Sequence, residues 1–546
     1  MQRRRQRRQR RWRELDRRYF PGLHLLIVHP PSRLRSPASA AAVSISRRLP
    51  LLPAAAAVTS DMRPSLALSL LFLALVSAPG AFSEGRGEAA GEEARVVSRI
   101  AFGSCANQSA PQPIWSAISD FDPQLFIWLG DNIYGDNRRP FRVLGKERTI
   151  GPWRNVPRFF PASEKELAER YRLQKSNPGY SALRRRAQVI GTWDDHDYGL
   201  NDAGKEFKGK NVSQKLLLDF LGEVPDSPRR KQAGVYASNL FGPKGKQIKV
   251  ILLDTRYHRD PIRSDGTILG ETQWAWLDME LRGPATPVTI IASSIQVISN
   301  LSATTGPLIY MECWGRFPME KERLYKLIEN SKRDGVFFIS GDVHFAEITR
   351  YDCATGYPLY DLTSSGLTQA VEKVVPSLAF LVRVAAWLTP TTMRVYNSEC
   401  RYKSCIYGKP NFGAIEIDWD ATPQMLRLEV RDEYGNPVTG LSMLLSNLQI
   451  SAHANNTRKT AGRYQHDCIL EINLPWIVRH RLVILLFVFL ADFGFSCREK
   501  TLLLFLLNLY RWHFFDIFQF LIIAFMVLLW MIISLSKRFI RKFKVD

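Results

Sequence analysis

Residues 187–202, AQVIGTWDDHDYGLND, place an apolar run directly in front of four aspartates and one histidine. The run AQVIGTW has the composition of a buried strand, so an ordinary exposed acidic loop is a poor explanation for these acids. Like charges this close repel one another unless a counter-charge offsets them. A bound cation is the simplest counter-charge, and its remaining ligands are then expected behind other strands.

The chain from Val96 to about Asn447 alternates strand-like and helix-like runs. The predicted strands are RIAFGSC (99–105), LFIWLGDNI (125–133), AQVIGTWDD (187–195), QIKVILLDTR (247–256), PVTIIASSIQV (287–297), VFFISGDVH (336–344) and PLYDLTSSG (358–366). The predicted helices are SEKELAERYRLQ (163–174), ETQWAWLDMELRG (271–283) and MEKERLYKLIENSKRDG (319–335), and residues 411–435 are predicted to form a hairpin. Apolar strands between helices indicate one α/β domain, 96–447, whose sheets are covered on both faces. The basic, aromatic segment 138–163 is predicted to be an irregular loop over a site.

Polar side chains lie at or just beyond the carboxyl ends of four of these strands. They are Cys105 at the first, Asp131 and Tyr134 at the second, Asp194, Asp195 and His196 at the third, and Asp342 and His344 at the sixth. In open α/β sheets, ligands bind beyond the carboxyl ends of the strands, because neighbouring loops converge there. We therefore expect these side chains to meet at one edge.

The types of ligand restrict the metal. Carboxylates suit calcium, manganese or magnesium, whereas a thiolate and a phenolate favour a Lewis-acidic ion such as Fe³⁺. Two ions about 3.5–4 Å apart can clamp the attacking and leaving oxygens of a phosphoryl group and lower the pKa of a water molecule. The sequence therefore favours hydrolysis of a phosphoester.

Seven ordered blocks resemble the PhoD-like alkaline phosphatase and phosphodiesterase family, within the calcineurin-like metallophosphoesterases. They are FGSC (102–105), LGDNIY (129–134), TWDDHDYG (192–199), LLDTRY (252–257), LGETQWAWL (269–277), SSIQV (293–297) and ISGDVHFAEI (339–348). The similarity covers about residues 98–370, and the hairpin to about 435 is included. It implies a four-layer α/β/β/α sandwich around two or more ions, with iron (Fe³⁺) and calcium as the family's usual metals and manganese, magnesium or zinc as alternatives.

The resemblance also implies roles for individual residues. Cys105 and Tyr134 would bind the iron-type ion, Asp131 would bridge the ions, and Asp342 and His344 would complete the ligand set. Asp195 is preferred to Asp194 as a direct ligand, and both are kept as metal ligands. The catalytic candidates are His196, as a proton donor or phosphate-orienting group, and Asn107 and Arg256, which with His258 are candidates for substrate contact.

Each of these residues also has a purely structural interpretation. Alone, Cys105 would be a buried small hydrophobe and Tyr134 a half-buried aromatic side chain. Alone, His196 and His344 would be structural histidines, and Asp197 and Asp254 would be acids that cap loops. It is the joint placement of the residues behind separate strands that favours a metal site.

The two ends of the chain predict an extracytosolic protein that is attached to a membrane. Residues 1–61, with ten arginines in the first eighteen positions, are predicted to be a disordered basic extension. Residues 62–81 have the layout of a signal peptide or signal anchor. Residues 517–535 are predicted to be a transmembrane helix, followed by a basic cytosolic tail, 536–546. Between the domain and that helix, 448–480 is a predicted linker, and 481–510 contains hydrophobic segments of uncertain topology.

Several further features bear on location. Asn211, Asn300 and Asn455 begin glycosylation triplets, and Cys400 and Cys405 are spaced to close a small disulfide loop. The ending KFKVD resembles a dilysine retrieval signal of the endoplasmic reticulum, with a plain stop-transfer cluster as the alternative. We therefore expect a membrane of the secretory or endomembrane system, with the domain luminal or extracellular.

The net charge of +22 lies largely in the two ends, so nucleic acid is not an expected partner. The expected function is a metal-dependent phosphoesterase that acts on mono- or diesters. The alternative is a non-catalytic module that binds phosphoesters or phosphorylated glycans in the same pocket. The substrate and the oligomeric state stay open.

Overall fold

The structure, a computed structural model, describes residues 95–138, 141–143, 146–148, 159–262, 266–305, 311–374, 387, 391, 393–451 and 474–496. The predictions for 1–61, 62–81, 517–535 and 536–546 lie outside these residues.

The chain forms sixteen strands within the described residues. They are β1 (Arg99–Gly103), β2 (Leu125–Leu129), β3 (Asp136–Arg138), β4 (Phe141–Val143), β5 (Lys146–Arg148), β6 (Phe159–Pro161), β7 (Gln188–Thr192), β8 (Ala237–Phe241), β9 (Ile248–Leu252), β10 (Val288–Ser293), β11 (Val336–Ser340), β12 (Ala346–Tyr351), β13 (Leu359–Ser364), β14 (Asn411–Asp418), β15 (Met425–Asp432) and β16 (Pro437–Leu444).

The α-helices of the same residues are α1 (Ile114–Asp120), α2 (Glu164–Ser176), α3 (Pro178–Arg184), α4 (Asp195–Tyr198), α5 (Lys210–Leu221), α6 (Gly270–Arg282), α7 (Leu301–Thr305), α8 (Pro318–Ser331), α9 (Val371–Val374) and α10 (Trp476–Ser496).

Twelve of the strands form two six-stranded sheets. The first has the order β16-β15-β14-β1-β2-β7, and the second has the order β12-β13-β11-β10-β9-β8. Strands β1, β2 and β7 are parallel, and so are β9, β10, β11 and β13. The carboxyl ends of neighbouring parallel strands therefore lie together in each sheet.

The alternation of side chains along β1 and β2 explains why the first sheet is covered on both faces. Ile100 and Phe102 share one apolar cluster with Val250 and Phe338 of the second sheet. Ala101 and Phe126 lie in another cluster, with Trp115 of α1, Tyr180 of α3 and Phe220 of α5. Successive residues of a strand point to opposite faces, so one face meets the second sheet and the other meets helices.

The second sheet belongs to the same central core as helices α6 and α8, through Trp274, Leu277, Leu324 and Ile328. The predicted mixed α/β fold is therefore confirmed, with two sheets inside and helices outside. All seven predicted strands, the three predicted helices and the β14–β15 hairpin are present.

Three strands of the sheets were not predicted: β8, β12 and β16. Strand β12, AEITRY, contains charged residues that suggest an exposed segment, yet Glu347 is fully buried and accepts a 2.6 Å hydrogen bond from Arg394 Nε. The prediction of an irregular loop at 138–163 was incomplete, because β3 pairs with β6 and β4 pairs with β5 there.

Near the carboxyl end, α10 is a 21-residue helix in which Trp476, Ile477 and Val488 are exposed. Among the residues that the structure describes, no helix combines the length and the apolar character needed to cross a bilayer.

Two predicted surface features can be located. The Cys400–Cys405 disulfide is present, as predicted, and Cys353 is disulfide-bonded as well. Asn211 is exposed on α5, but Asn300 is only 1% exposed. The glycosylation prediction at Asn300 is therefore wrong, because the folded chain leaves no room for a glycan there. Asn455 lies outside the described residues.

Candidate metal centre

Four of the predicted site residues lie at strand ends and share an unusual backbone conformation. Cys105, Asp131, Asp342 and His344 have φ angles of 60°, 48°, 69° and 62°. Non-glycine residues seldom adopt the left-handed region, which costs of order 1–3 kcal/mol per residue and is concentrated at functional sites. The backbone is thus left-handed at one or two residues shortly after β1, β2 and β11.

These residues come from both sheets. Cys105 and Asp131 follow strands of the first sheet, whereas Asp342 and His344 follow β11 of the second. The prediction that all of these side chains meet at one edge of a single sheet was therefore incomplete. The site lies where the carboxyl ends of the two packed sheets meet.

One group of ligand atoms belongs to Cys105, Asp131 and His344, and all lie within 4.8 Å of one another. The Cys105 thiol lies 3.4 Å from Asp131 Oδ2 and 3.1 Å from Ser365 Oγ. The Tyr134 hydroxyl lies 3.0 Å from His344 Nε2, so the phenol adjoins this group.

A second group consists of Asp194, Asp195 and Asp342, again with ligand atoms within 4.8 Å of one another. Asp194 Oδ2 and Asp195 Oδ1 are buried and have no hydrogen-bond partner. A buried carboxylate oxygen without a donor is costly, so these atoms are available to a cation. The carboxylate set suits a hard cation.

Asp131, Asp195 and His196 form a third such group, which shares one acid with each of the other two. His196 is buried, and its Nδ1 lies 2.8 Å from Asp136 Oδ1. The imidazole ring lies 4.4 Å from the Tyr134 ring and 5.7 Å from the Phe159 ring, centroid to centroid. His196 is therefore fixed in the middle of the site.

The charges of the site shift the pKa values of its groups in opposite directions. Burial, together with Asp195 and Glu312, raises the pKa of Asp194 to about 7 against the lowering effect of Arg256. Burial also raises the pKa of Asp131 and Asp342 well above the usual range.

The opposite balance holds for Asp195 and His196. Burial disfavours the charged form of both, but their attraction outweighs it. The pKa of Asp195 is lowered to about 2, and that of His196 is raised to about 10 with help from Asp131 and Asp136. His196 therefore carries a proton at neutral pH.

Two further acids act on the backbone instead. Asp197 accepts hydrogen bonds from the backbone N–H groups of Asp131, Asn132 and Asp194, at 3.3, 3.2 and 2.6 Å. Asp254 accepts from the N–H groups of Val235 and Arg256 at 2.8 and 2.9 Å. Their geometry matches the loop-capping interpretation.

The candidates for substrate contact lie in different environments. Arg256 is fully buried, and its Nε donates to Asp194 Oδ1 at 2.6 Å, so it orients the carboxylate of a proposed ligand. Asn107 is half-buried and accepts a bond from the Ser109 N–H. His258 Nε2 lies 3.1 Å from the carbonyl oxygen of Ala233.

Several residues around the site were not predicted from the sequence. Glu312 is 3% exposed and accepts from Arg256 Nη1 at 2.8 Å, while Asp136 holds His196 and Ser365 contacts Cys105. Ser365 lies at the end of the predicted strand 358–366, so its position was a usable signal. Asp136 lies in the DNIYGD run, but Glu312 has no local signal because it lies in a loop far along the chain.

The fold and the side-chain groups define a mixed α/β protein with a candidate metal centre at the ends of its strands. A family model described as "PhoD-like phosphatase" matches residues 100–383, more than half of the 546 residues. The chain belongs to this family.

The individual relatives share little sequence identity with this chain. "Alkaline phosphatase D" of Bacillus subtilis (strain 168) is 24% identical over 250 residues, which cover 40% of this chain and 41% of the relative. The chain thus spans about two fifths of that relative's length.

Two solved structures are similar. One, described as "Structure of PhoD", has a TM-score of 0.45 at 16% identity and covers 64% of this chain and 69% of its own. Another, described as "GAP50 the anchor in the inner membrane complex of Plasmodium", has a TM-score of 0.37 at 11% identity and covers 66% and 95%.

Proposed function

We propose that this protein is a metal-dependent phosphoesterase that hydrolyses phosphate mono- or diesters. The observation that carries the proposal is the convergence of a thiol, two imidazoles and four carboxylates in overlapping groups of ligand atoms. Membership of a phosphatase family supports it.

The side chains present fit metal ions. Cys105, Asp131 and His344, with Tyr134 beside them, would hold one ion, and Asp194, Asp195 and Asp342 would hold another. The unpaired oxygens of Asp194 and Asp195 support this assignment. When bound, such ions supply positive charge to the phosphoryl oxygens and lower the pKa of a water molecule.

The protein's own groups perform the remaining tasks. His196 is held in one orientation by Asp136, and the acids around it favour its protonated form, so it is placed to protonate a leaving oxygen. Arg256 donates a hydrogen bond to the Asp194 carboxylate and so fixes its orientation. Asp131 and Asp195 are buried, so bulk water has little access to their carboxylates.

The metals and the location are part of the proposal. Iron at the thiol and phenol, with calcium at the carboxylates, follows from the hardness of the ligands, and metal analysis of the purified protein tests it. We also propose a membrane-attached domain that faces the secretory lumen or the exterior. The Cys400–Cys405 disulfide supports an oxidising compartment. Protease protection of the domain in sealed microsomes tests the orientation.

Asp131→Asn tests the activity. The substitution removes a charge shared by two groups of ligands, so hydrolysis of p-nitrophenyl phosphate and bis-p-nitrophenyl phosphate should fall at least about 100-fold. A chelator should have the same effect on the wild-type protein. Asp420→Asn, at an exposed site, is the matched control and should retain full activity. Undiminished turnover in Asp131→Asn or in the chelator would contradict the proposal.

A further inference from the structure

A short two-stranded ribbon lies beside the metal centre and carries an exposed arginine. Strands β3 and β6 pair so that Arg138 lies opposite Phe159. The Arg138 guanidinium carbon lies 5.2 Å from the centre of the Phe159 ring. That ring in turn lies 5.7 Å from the His196 ring. The cation–π contact therefore holds the Arg138 charge against Phe159, which in turn contacts His196 of the site.

The ribbon is fixed to the rest of the domain from two sides. Arg170 of α2 donates to the carbonyl oxygens of Tyr134 and Asp136, at 3.2 and 3.0 Å, and to Asn137 Oδ1 at 2.5 Å. On the other side, the Asp136 carboxylate contacts His196. The backbone that leads to Arg138 is thus tied both to a helix and to the site.

Two buried arginines near the centre are paired with acids. Arg256 pairs with Asp194 and Glu312, and Arg259 pairs with Glu312 at 3.1 Å, all in buried surroundings. Arg138 makes no ion pair within the part of the chain that the structure describes, and its side chain is exposed. Among the described residues, its charge is therefore unpaired beside a site lined by acids.

We propose that Arg138 binds the non-bridging oxygens of the substrate phosphoryl group at the mouth of the site. The proposal rests on the proposed function. A guanidinium offers planar paired donors that match phosphate oxygens, and its stacking on Phe159 reduces the freedom lost on binding. Arg138 is therefore a substrate-binding residue, separate from the metal ligands.

The experiment compares the full-length Arg138→Ala, Arg138→Lys and wild-type proteins on p-nitrophenyl phosphate, with inorganic phosphate as a competitive inhibitor. For Arg138→Ala we expect KM and the inhibition constant of phosphate to rise about tenfold, equal to about 1.4 kcal/mol of binding free energy. The kcat value should stay within about twofold of wild type. Arg138→Lys should lie between the two, because it keeps the charge but not the paired donors.

Two controls separate binding from structure. Arg172→Ala removes an arginine of α2 that is 66% exposed and paired with Glu169, and it should behave as wild type. Bound metal, measured by mass spectrometry, should be equal in all variants. Unchanged KM and phosphate inhibition in Arg138→Ala would overturn the proposal, and so would loss of bound metal from that variant.

Failure of the proposed function is distinguishable from failure of this proposal. If the wild-type protein hydrolyses neither chromogenic ester, calorimetric titration with inorganic phosphate replaces kinetics. A dissociation constant about tenfold weaker in Arg138→Ala then supports the role of Arg138 without catalysis. Equal binding by both proteins, or no binding by the wild type, would overturn it.

Discussion

Glu312→Gln is expected to weaken both the fold and the metal centre. Glu312 is 3% exposed and lies between two buried arginines, with Arg256 Nη1 at 2.8 Å and Arg259 Nε at 3.1 Å. Breaking a buried ion pair by removing one partner costs about 3–5 kcal/mol, since it leaves an uncompensated charge. The glutamine oxygen still accepts a hydrogen bond, so we expect the lower end, about 3 kcal/mol.

The effect should extend to metal binding. Arg256 also donates to Asp194, so without Glu312 its charge interacts mainly with that carboxylate. Competition between Arg256 and a cation for Asp194 should lower metal affinity about tenfold, the range found when groups behind metal ligands are removed.

The measurements are urea unfolding followed by fluorescence and calorimetric titration of the metal-free protein with Mn²⁺ or Ca²⁺. Glu271→Gln is the control, because Glu271 is 79% exposed in its pair with Arg323. Exposed ion pairs contribute about 0–1 kcal/mol, so this variant should unfold near the wild-type midpoint. If Glu312→Gln unfolds at the same urea concentration as Glu271→Gln, the reasoning about the buried network is refuted.

Two further predictions concern protons. Asp136→Asn removes the charge that helps to raise the pKa of His196. The alkaline limb of the pH profile of kcat should therefore move to lower pH, and kcat should fall about tenfold. An alkaline limb at the wild-type pH would contradict a proton-donor role for His196. In the metal-free protein, the raised pKa of Asp194, about 7, means that the folded state binds more protons than the unfolded state below that pH. The contribution of Asp194 is therefore lost as pH rises through 7. Above about 6.5 the unfolded chain loses the histidine proton that folded His196 keeps up to about 10, so stability should fall further between pH 6.5 and 8. Added Ca²⁺ should restore more stability at pH 8 than at pH 6.5, as urea midpoints would show; a metal-free protein that is more stable at pH 8 would contradict this.

The elements that depend on local pattern could be predicted from the amino-acid sequence. Strands such as Leu125–Leu129 and Val336–Ser340 are short apolar runs, and their burial follows from composition. The polar residues directly behind them are equally local features, so Cys105, Asp131 and Asp342 could be selected as site residues without coordinates. The disulfide between Cys400 and Cys405 was also visible, because the two residues are close in the chain.

How these strands and helices come together could be seen only in the folded protein. The site draws on both sheets, and strand β14 joins the first sheet antiparallel to β1 although more than 300 residues separate them in the chain. The roles of Glu312, Asp136 and Arg256 depend on the residues that pack around them in the folded chain. Such contacts depend on how two sheets stack and on which charges become buried together. Neither property is encoded in the spacing of neighbouring residues, because each arises from long-range burial of apolar surface.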